Sequence, residues 1–129
     1  MKLSLTALLV RDYDEAIAFY RDALGFRLVE DSVLGDGKRW VVLGSEGGSL
    51  LVAKARKPEE FALVGNQFGG RVGLFAHTDD FEAVQARLIK AGAYFEEQPR
   101  HEPYGTVAVF RDLYGNRWDL IEPKNGGAS

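Results

Sequence analysis

Apolar positions along the chain follow two periods, one typical of strands and one typical of helices. A mostly apolar run at 3–10 predicts a buried strand, and apolar residues then recur at helical spacing over 16–24. Asp12 and Glu15 precede this stripe as a capping-box pattern, because each side chain can satisfy a backbone N–H left free at the helix start. Gly25 stands where a helix stop belongs. The pattern therefore predicts a strand followed by one amphipathic helix.

Three further strands are predicted in this half of the chain. The segments at 26–31, 39–43 and 49–55 are predicted to be strands. Turn-forming residues separate them at 34–37 and at 45–48. The first half is therefore predicted to run strand, helix, strand, strand, strand.

The second half of the chain repeats this order. A predicted strand at 71–78 is followed by Asp79 and Glu82, a second capping-box pair, and Gly92 stops the helix after them. The helical stripe consists of Phe81, Val84, Leu88 and Ala91. The last three strands are predicted at 94–98, 106–111 and 118–122. Because the capping and stop residues of the two halves match at one constant offset, the chain is predicted to carry a duplicated module.

A single domain spanning 1–129 is predicted, built from modules at 1–57 and 71–122. The linker between them, 58–70, is long for a loop in a compact domain, so we expect it to carry function or structure of its own. Its stretch at 59–64 is predicted to form a short helix.

Composition excludes several classes of function. Apolar residues make up 46% and charged residues 27% of the chain, which is the balance of a soluble globular protein. The absence of cysteine excludes disulfides and thiolate metal sites. A formal charge of −3 argues against a nucleic-acid surface, and no apolar run approaches the ~20 residues of a membrane span. We therefore expect a cytoplasmic protein with neither nucleic acid nor membrane as a partner.

Three segments carry a resemblance to a known family: Ala18-Phe19-Tyr20, Leu24-Gly25-Phe26 and the stretch Asp-Leu-Tyr-Gly-Asn-Arg-Trp-Asp-Leu at 112–120. Together with the duplication, they resemble the vicinal oxygen chelate superfamily of glyoxalases, bleomycin-resistance proteins and extradiol dioxygenases. The resemblance covers Leu3 to about Glu122. It implies an α+β fold in which two βαβββ modules curl a mixed sheet into a cup, with the ligand in the cup and a homodimer as the usual assembly.

The resemblance also implies a divalent metal held by His and Glu side chains at four equivalent positions. In this sequence those positions carry Leu5, Leu51, Gly73 and Asp119. A divalent cation needs several such donors converging from different strands, and one aspartate does not supply them. The sequence therefore predicts no metal and no other cofactor.

The ligand site implied by the resemblance combines apolar walls with a few polar groups. The walls are assigned to Leu5, Ala7, Leu9, Leu51 and Phe75, and polar contacts to Arg39, Gln67, Arg71, His77, Tyr104 and Asp119. In the family register, His77 shares a strand face with Gly73 and Phe75. His101 falls in a predicted polar loop at 98–103 and is interpreted as a solvated residue.

Alternatives remain at several of these positions. Either Arg39 or Trp40 can face the cup, but not both, because adjacent strand residues point to opposite faces. Asp119 is expected to pair with Arg39 or Arg71, or to bind a cationic ligand, since a charge facing an apolar cup needs a partner. His77 is either a general acid or base or a half-exposed residue at a strand end.

The favoured hypothesis is a metal-free superfamily member that binds a small organic molecule in its cup, as bleomycin-resistance proteins do by sequestration. One alternative is a metal-dependent lyase or dioxygenase of the same superfamily whose ligands lie at other positions. Another is a metal-free isomerase or lyase with His77 or Asp119 as general base, a role that needs only reach and a tuned pKa.

Overall fold

The structure, a computed structural model, describes residues 1–124 as two compact units, one at 1–67 and one that begins at Phe68. The first unit contains β1 (Thr6–Val10), α1 (Tyr13–Leu24), β2 (Arg27–Gly35), β3 (Lys38–Gly44), β4 (Ser49–Lys54) and α2 (Pro58–Phe61). The second contains β5 (Val72–His77), α3 (Phe81–Lys90), β6 (Tyr94–Phe95), β7 (Arg100–Glu102), β8 (Gly105–Arg111) and β9 (Arg117–Pro123). The predicted α+β class and the repeated order of elements are confirmed. None of these helices is long and apolar enough to cross a membrane.

The sheet of the first unit buries one of its faces. Its strand order is β1-β4-β3-β2, with β1 parallel to β4 and the other pairs antiparallel. The most deeply buried side chains of this unit include Leu8, Val10, Val41, Leu43 and Val52 on the strands and Ala16, Tyr20 and Ala23 on α1. Burying a leucine or valine side chain contributes about 1.5–3 kcal/mol. This packing decides which face of the sheet is left without a helix.

The ends of α1 match the sequence prediction. The Asp12 carboxylate accepts the backbone N–H of Glu15 at 2.8 Å, as expected of a residue that caps a helix start. Gly25 ends the helix with φ of 74°, a left-handed conformation that glycine adopts without steric cost.

Strand β2 extends to Gly35, further than the predicted 26–31. The turn that follows contains only Asp36 and Gly37, whose φ angles of 55° and 76° are typical of a tight hairpin. Because so short a turn keeps the flanking strands paired up to its edge, Gly35 lies directly opposite Lys38.

The predicted capping box that begins at Asp79 is wrong by one residue. Asp80 caps α3: its carboxylate accepts the backbone N–H of Ala83 at 3.2 Å, while Glu122 Oε1 accepts that of Phe81 at 2.7 Å. With the cap at Asp80, buried helix residues of the two units correspond in order: Tyr13 with Phe81, Ala16 with Val84 and Tyr20 with Leu88. The predicted cap was one residue too early because the prediction aligned Gly92 with Gly25. That alignment assumes helices of equal length, whereas α3 has 10 residues and α1 has 12.

The second sheet has the order β5-β9-β8-β6, and β7 pairs with another part of β8. Strand β7 lies where a polar loop was predicted, so His101 is a strand residue. It pairs with Thr106, whose hydroxyl lies 3.3 Å from His101 Nδ1. The loop prediction at 98–103 failed because these side chains are polar, whereas antiparallel pairing is made by the backbone.

A buried aspartate fixes the turn that starts β9. Asp112 is 4% exposed, and its Oδ1 accepts the backbone N–H groups of Tyr114, Gly115 and Asn116 at 2.9, 3.1 and 3.0 Å. Its Oδ2 accepts the indole N–H of Trp118 at 2.9 Å. The Asp-x-x-Gly-Asn motif therefore sets the direction in which β9 leaves the turn, and with it the side to which each β9 residue points.

Candidate functional site

The sheet of the second unit has one deeply buried face and one more open face. Phe110, Trp118 and Leu120 are at most 2% exposed, and the rings of Phe110 and Trp118 stack with centroids 5.7 Å apart. Because side chains alternate along a strand, Asp119 and Ile121 point to the opposite side. We call that side the open face; its members are Phe75, His77, Val109, Arg117, Asp119 and Ile121.

Strand register sets the neighbours of Asp119 on the open face. Phe75 of β5 lies beside it on one side and Val109 of β8 on the other. His77 lies beside Ile121, two positions further along β9. The side chain of Phe75 is 62% exposed, so an aromatic surface adjoins the carboxylate. The predicted shared face of Phe75 and His77 fits this register.

The Asp119 carboxylate has no direct partner in the part of the chain that the structure describes. Its Oδ1 is buried and accepts no hydrogen bond. Burial raises the pKa of this carboxyl above its ordinary value; Glu97 adds to the rise, and Arg100 and Arg117 oppose it. None of the ion pairs found within residues 1–124 joins Asp119 to Arg71, so that predicted pairing is wrong.

The neighbouring guanidinium groups bond to other acids. Arg117 donates from Nε and Nη2 to Glu96 at 2.8 and 2.9 Å, and from Nη1 to the carbonyl of Gly70 at 2.9 Å. Arg100 donates from Nε to Glu97 Oε1 at 2.8 Å. Hydrogen bonds from Arg117 and then Arg111 hold the pKa of Glu96 below its ordinary value. These carboxylates and guanidinium groups bond to one another, and none of them bonds to Asp119.

Arg39 lies on the buried side of the first sheet. Its guanidinium donates to Asp31 at 2.7 Å, pairs with Asp14 of α1 at 3.0 Å, and sits 5.0 Å from the centre of the Tyr13 ring. The hydrogen bonds that Arg39 donates to Asp31 and then to Asp14 raise its pKa above the ordinary value. Arg39 therefore pairs with Asp31 and Asp14 and not with Asp119, the partner that one alternative predicted.

The alternative left open between Arg39 and its neighbour is decided by register. Leu51 pairs with Val42 across β4 and β3, and Trp40 lies two residues before Val42. Trp40 and Leu51 therefore share a face, whereas Arg39 lies on the opposite one. Trp40 is 37% exposed, so this face of the first unit is apolar and partly open.

Gln67 seals a sheet edge, a role that the sequence analysis missed. Its side-chain oxygen accepts the backbone N–H of Leu9 at 2.8 Å, and its Nε2 donates to the carbonyl of Ala7 at 2.7 Å. Strand β1 is an edge strand, so the amide of Gln67 takes the place of a neighbouring strand. Nothing in its sequence context signals this role, because the contact spans 58–60 residues along the chain.

Tyr104 sits in the two-residue turn between β7 and β8 and is 55% exposed. The hydrogen bond that Arg100 donates to Glu97 raises the pKa of Arg100. Arg71 is also exposed, just before β5. Tyr104 and Arg71 therefore present polar groups to solvent on the second unit.

The family model of the Glyoxalase/Bleomycin resistance protein/Dioxygenase superfamily matches residues 2–120 of this chain. The chain belongs to this superfamily. An uncharacterized protein of Shewanella frigidimarina (strain NCIMB 400) is 52% identical over 128 residues, covering 95% of each chain.

Solved structures of two other proteins show the same fold. UcmS2 is 30% identical with a TM-score of 0.76, and the match covers 95% of this chain and 98% of that one. TnmS3, an antibiotic binding protein from Streptomyces sp. CB03234, is also 30% identical with a TM-score of 0.72, and the match covers 96% of this chain and 97% of that one.

The superfamily's metal positions do not fit a divalent ion in this chain. Two of them are Leu5 and Leu51, whose side chains offer no donor atom. At the third, Gly73, a Cβ atom would overlap the ring of Phe68, so a ligating side chain has no space there. Within residues 1–124 no group of three or more His, Asp or Glu side chains is arranged to hold a metal. Asp119 stands alone as a donor.

Proposed function

We propose that this protein binds a small organic molecule on the open face of the second unit, without a catalytic metal, and acts by sequestration. The observation that carries the proposal is that the ring of Phe68 fills the space that a metal-ligating side chain at position 73 would need. A superfamily member with that position closed by an apolar ring retains a binding surface and loses the metal chemistry.

Similarity to a binding protein supports this proposal. TnmS3 is described as an antibiotic binding protein and is 30% identical to this chain over nearly its full length. This chain belongs to a superfamily whose name includes bleomycin resistance. A ring-containing natural product or similar organic molecule is therefore the class of ligand we propose.

The proposed contacts lie on the second unit. They are Phe75, His77 and Asp119 of the open face, with Arg71 and Tyr104 as exposed polar groups. Leu51 belongs to the first unit, where it shares an apolar, partly open face with Trp40 rather than with Arg39. The polar atoms of Gln67 are already bonded to β1, so we assign it to stability rather than to the ligand.

We also propose a homodimer, in the cytoplasm. Strand β2 is an edge strand and carries apolar side chains that are more than half exposed: Val29 at 54%, Val33 at 83% and Leu34 at 56%. Such an edge favours pairing with another chain. Light scattering during size-exclusion chromatography tests this proposal: a mass near 14.3 kDa would contradict it, and twice that mass is expected.

Two catalytic alternatives remain as second candidates. A metal-free isomerase or lyase would use His77 or Asp119 as base, and the raised pKa of Asp119 is the observation in its favour. A His77→Ala variant with full turnover would remove that histidine from the role. A metal-dependent lyase or dioxygenase would need ligands at positions other than those of the superfamily.

The decisive experiment combines metal analysis with a ligand screen. Purified protein is analysed for bound metal, and its melting temperature is recorded with small aromatic molecules, amines and antibiotics, each with and without added Ni²⁺, Zn²⁺, Mn²⁺ and Fe²⁺. We expect no stoichiometric metal and metal-independent stabilisation by a ring-containing ligand; ligand at 100 times its Kd raises stability by about 2.7 kcal/mol. A stoichiometric metal that supports glyoxalase-type turnover would overturn the proposal.

A matched pair of variants tests where the ligand binds. Phe75 on the open face and Ile89 on α3 are similarly exposed, at 62% and 56%. Phe75→Ala is expected to weaken binding of a hit at least tenfold, because the ring contact is lost, whereas Ile89→Ala leaves it unchanged. Equal affinities in the two variants would move the ligand away from the open face.

A further inference from the structure

Asp119 carries unused hydrogen-bonding capacity at the centre of the open face. A carboxylate offers about four acceptor sites on its two oxygens. Oδ1 is buried without a partner, and no hydrogen bond to either oxygen occurs within residues 1–124. Leaving a buried acceptor unsatisfied destabilises a fold, so its presence here calls for an explanation outside the fold.

The surrounding donors are committed elsewhere. The backbone N–H of Val109, the strand neighbour of Asp119, donates to Glu97 Oε2 at 2.8 Å. The guanidinium groups of Arg117 and Arg100 are held by Glu96 and Glu97. No donor in the described part of the chain bonds to the Asp119 carboxylate.

An aromatic ring lies directly beside this carboxylate. Phe75 is the β5 partner of Asp119 in the parallel ladder and keeps 62% of its side chain exposed. The exposed ring beside an acceptor without a partner offers a ligand an apolar contact and a hydrogen-bond acceptor at one place. The two groups select different parts of one ligand, an apolar ring and a donor attached to it.

We propose that Asp119 selects the ligand: the open face takes ring-containing molecules whose ring bears an N–H or O–H donor, with the ring on Phe75 and the donor on the Asp119 carboxylate. This inference rests on the proposed function and names its ligand class. The donor is either a neutral N–H or O–H group or a protonated amine, since both offer the same contact. An analogue without the donor would cover Asp119 and leave its carboxylate without a hydrogen bond. That cost is the main reason why the site would discriminate against such an analogue.

Three probes separate these sources: indole, which has a neutral N–H; 1-methylindole, which has the same ring without the donor; and tryptamine, which adds an amine. Affinities are measured by ligand-observed NMR titration for the wild-type protein and for Asp119→Leu, Asp119→Asn and Asp79→Asn. Asp79 is an exposed acid of the same unit and serves as the matched control. Asparagine keeps an acceptor oxygen but loses the charge.

We expect wild-type protein to bind indole at least about fivefold more tightly than 1-methylindole, the value of one hydrogen bond. The preference disappears in Asp119→Leu and persists in Asp79→Asn. In Asp119→Asn it persists for indole, and any additional affinity for tryptamine is lost. Equal binding of indole and 1-methylindole by the wild type would overturn the inference while leaving the proposed function intact. No binding of any probe would overturn both.

Stability without ligand supplies a second readout. If Asp119 is retained for a ligand, then Asp119→Leu removes an unsatisfied carboxylate and raises the melting temperature of the free protein by about 2–4 °C. A melting temperature at or below that of the wild type would assign Asp119 to the fold and overturn the inference.

Discussion

Asp112 and Trp118 are joined by a hydrogen bond from the indole N–H to Oδ2, 2.9 Å long and buried. The same carboxylate accepts three backbone N–H groups of the turn between β8 and β9. The Asp-x-x-Gly-Asn segment, one of those that carry the superfamily resemblance, therefore has a structural role. It holds the turn, orients β9 and so places Asp119 on the open face.

Replacing Asp112 tests this role. Asp112→Ala removes the carboxylate that accepts the backbone N–H groups of Tyr114 and Asn116, the side-chain amide of Asn116 and the indole N–H of Trp118, and is expected to destabilise the fold by about 3–5 kcal/mol. Asp112→Asn keeps one acceptor oxygen and is expected to cost about half as much. Denaturant unfolding followed by Trp fluorescence gives both values. Asp79→Ala, at an exposed position, is the control and should stay within about 0.5 kcal/mol of wild type.

Phe68 and Gly73 form a second dependent pair. A Cβ at position 73 would overlap the ring, so Gly73→Ala is expected to destabilise the protein by about 1–3 kcal/mol through overpacking. Adding Phe68→Ala removes the obstacle, and the double variant should be more stable than the sum of the single changes predicts. A double-mutant cycle with a coupling energy near zero would contradict the contact.

The fold was largely accessible from the sequence because its signals are local. The Asp12 cap, the Gly25 stop and the turn at Asp36 and Gly37, which falls inside the predicted 34–37, each depend on residues only a few positions apart. The cap of α3 was misplaced for a related reason. Asp79 has Glu82 three residues later and fits the capping-box pattern, whereas Asp80 has Ala83 there; only the packing of Phe81 and the reach of Glu122 from β9 select Asp80.

The candidate site was less accessible because its decisive contacts are long-range. Arg39 was assigned to the ligand, yet the side of β3 on which it lies depends on register with β4, which no local pattern specifies. The edge-sealing role of Gln67 and the ring of Phe68 over Gly73 were not predicted at all. Asp119 has no hydrogen-bond partner within residues 1–124 because Arg100 and Arg117 bond to other acids, and no local sequence pattern specifies these bonds.

The ion pairs of Glu96 predict a pH dependence of stability. Hydrogen bonds from Arg117 and Arg111 lower the pKa of Glu96 in the folded state. A lowered pKa means that its contribution is fully present above the unfolded value of about 4.3 and is lost as pH falls through the folded value. Glu96→Gln is therefore expected to cost about 1 kcal/mol at pH 7.

Unfolding curves recorded from pH 7 down to pH 2 check the sign of this effect. The difference between wild type and Glu96→Gln should shrink below about pH 4.3 and vanish once Glu96 is protonated in the folded protein. Glu46→Gln, in the exposed turn between β3 and β4, is the matched control. A gap that is constant with pH would assign the effect to packing rather than to charge.

The side-chain amide of Gln67 predicts protection at one backbone position. Because its oxygen accepts the Leu9 N–H at 2.8 Å, that amide proton should exchange slowly with solvent although β1 is an edge strand. Gln67→Ala removes the acceptor and is expected to speed exchange of the Leu9 N–H about tenfold or more, with a stability cost of about 1 kcal/mol. The Ala55 N–H, which donates to the carbonyl of Val10 at 2.8 Å, is the internal control, because its acceptor is untouched by the change. Hydrogen exchange followed by NMR resolves both protons. If Leu9 and Ala55 accelerate equally, the variant has loosened the whole unit, and the edge-sealing role of Gln67 is wrong.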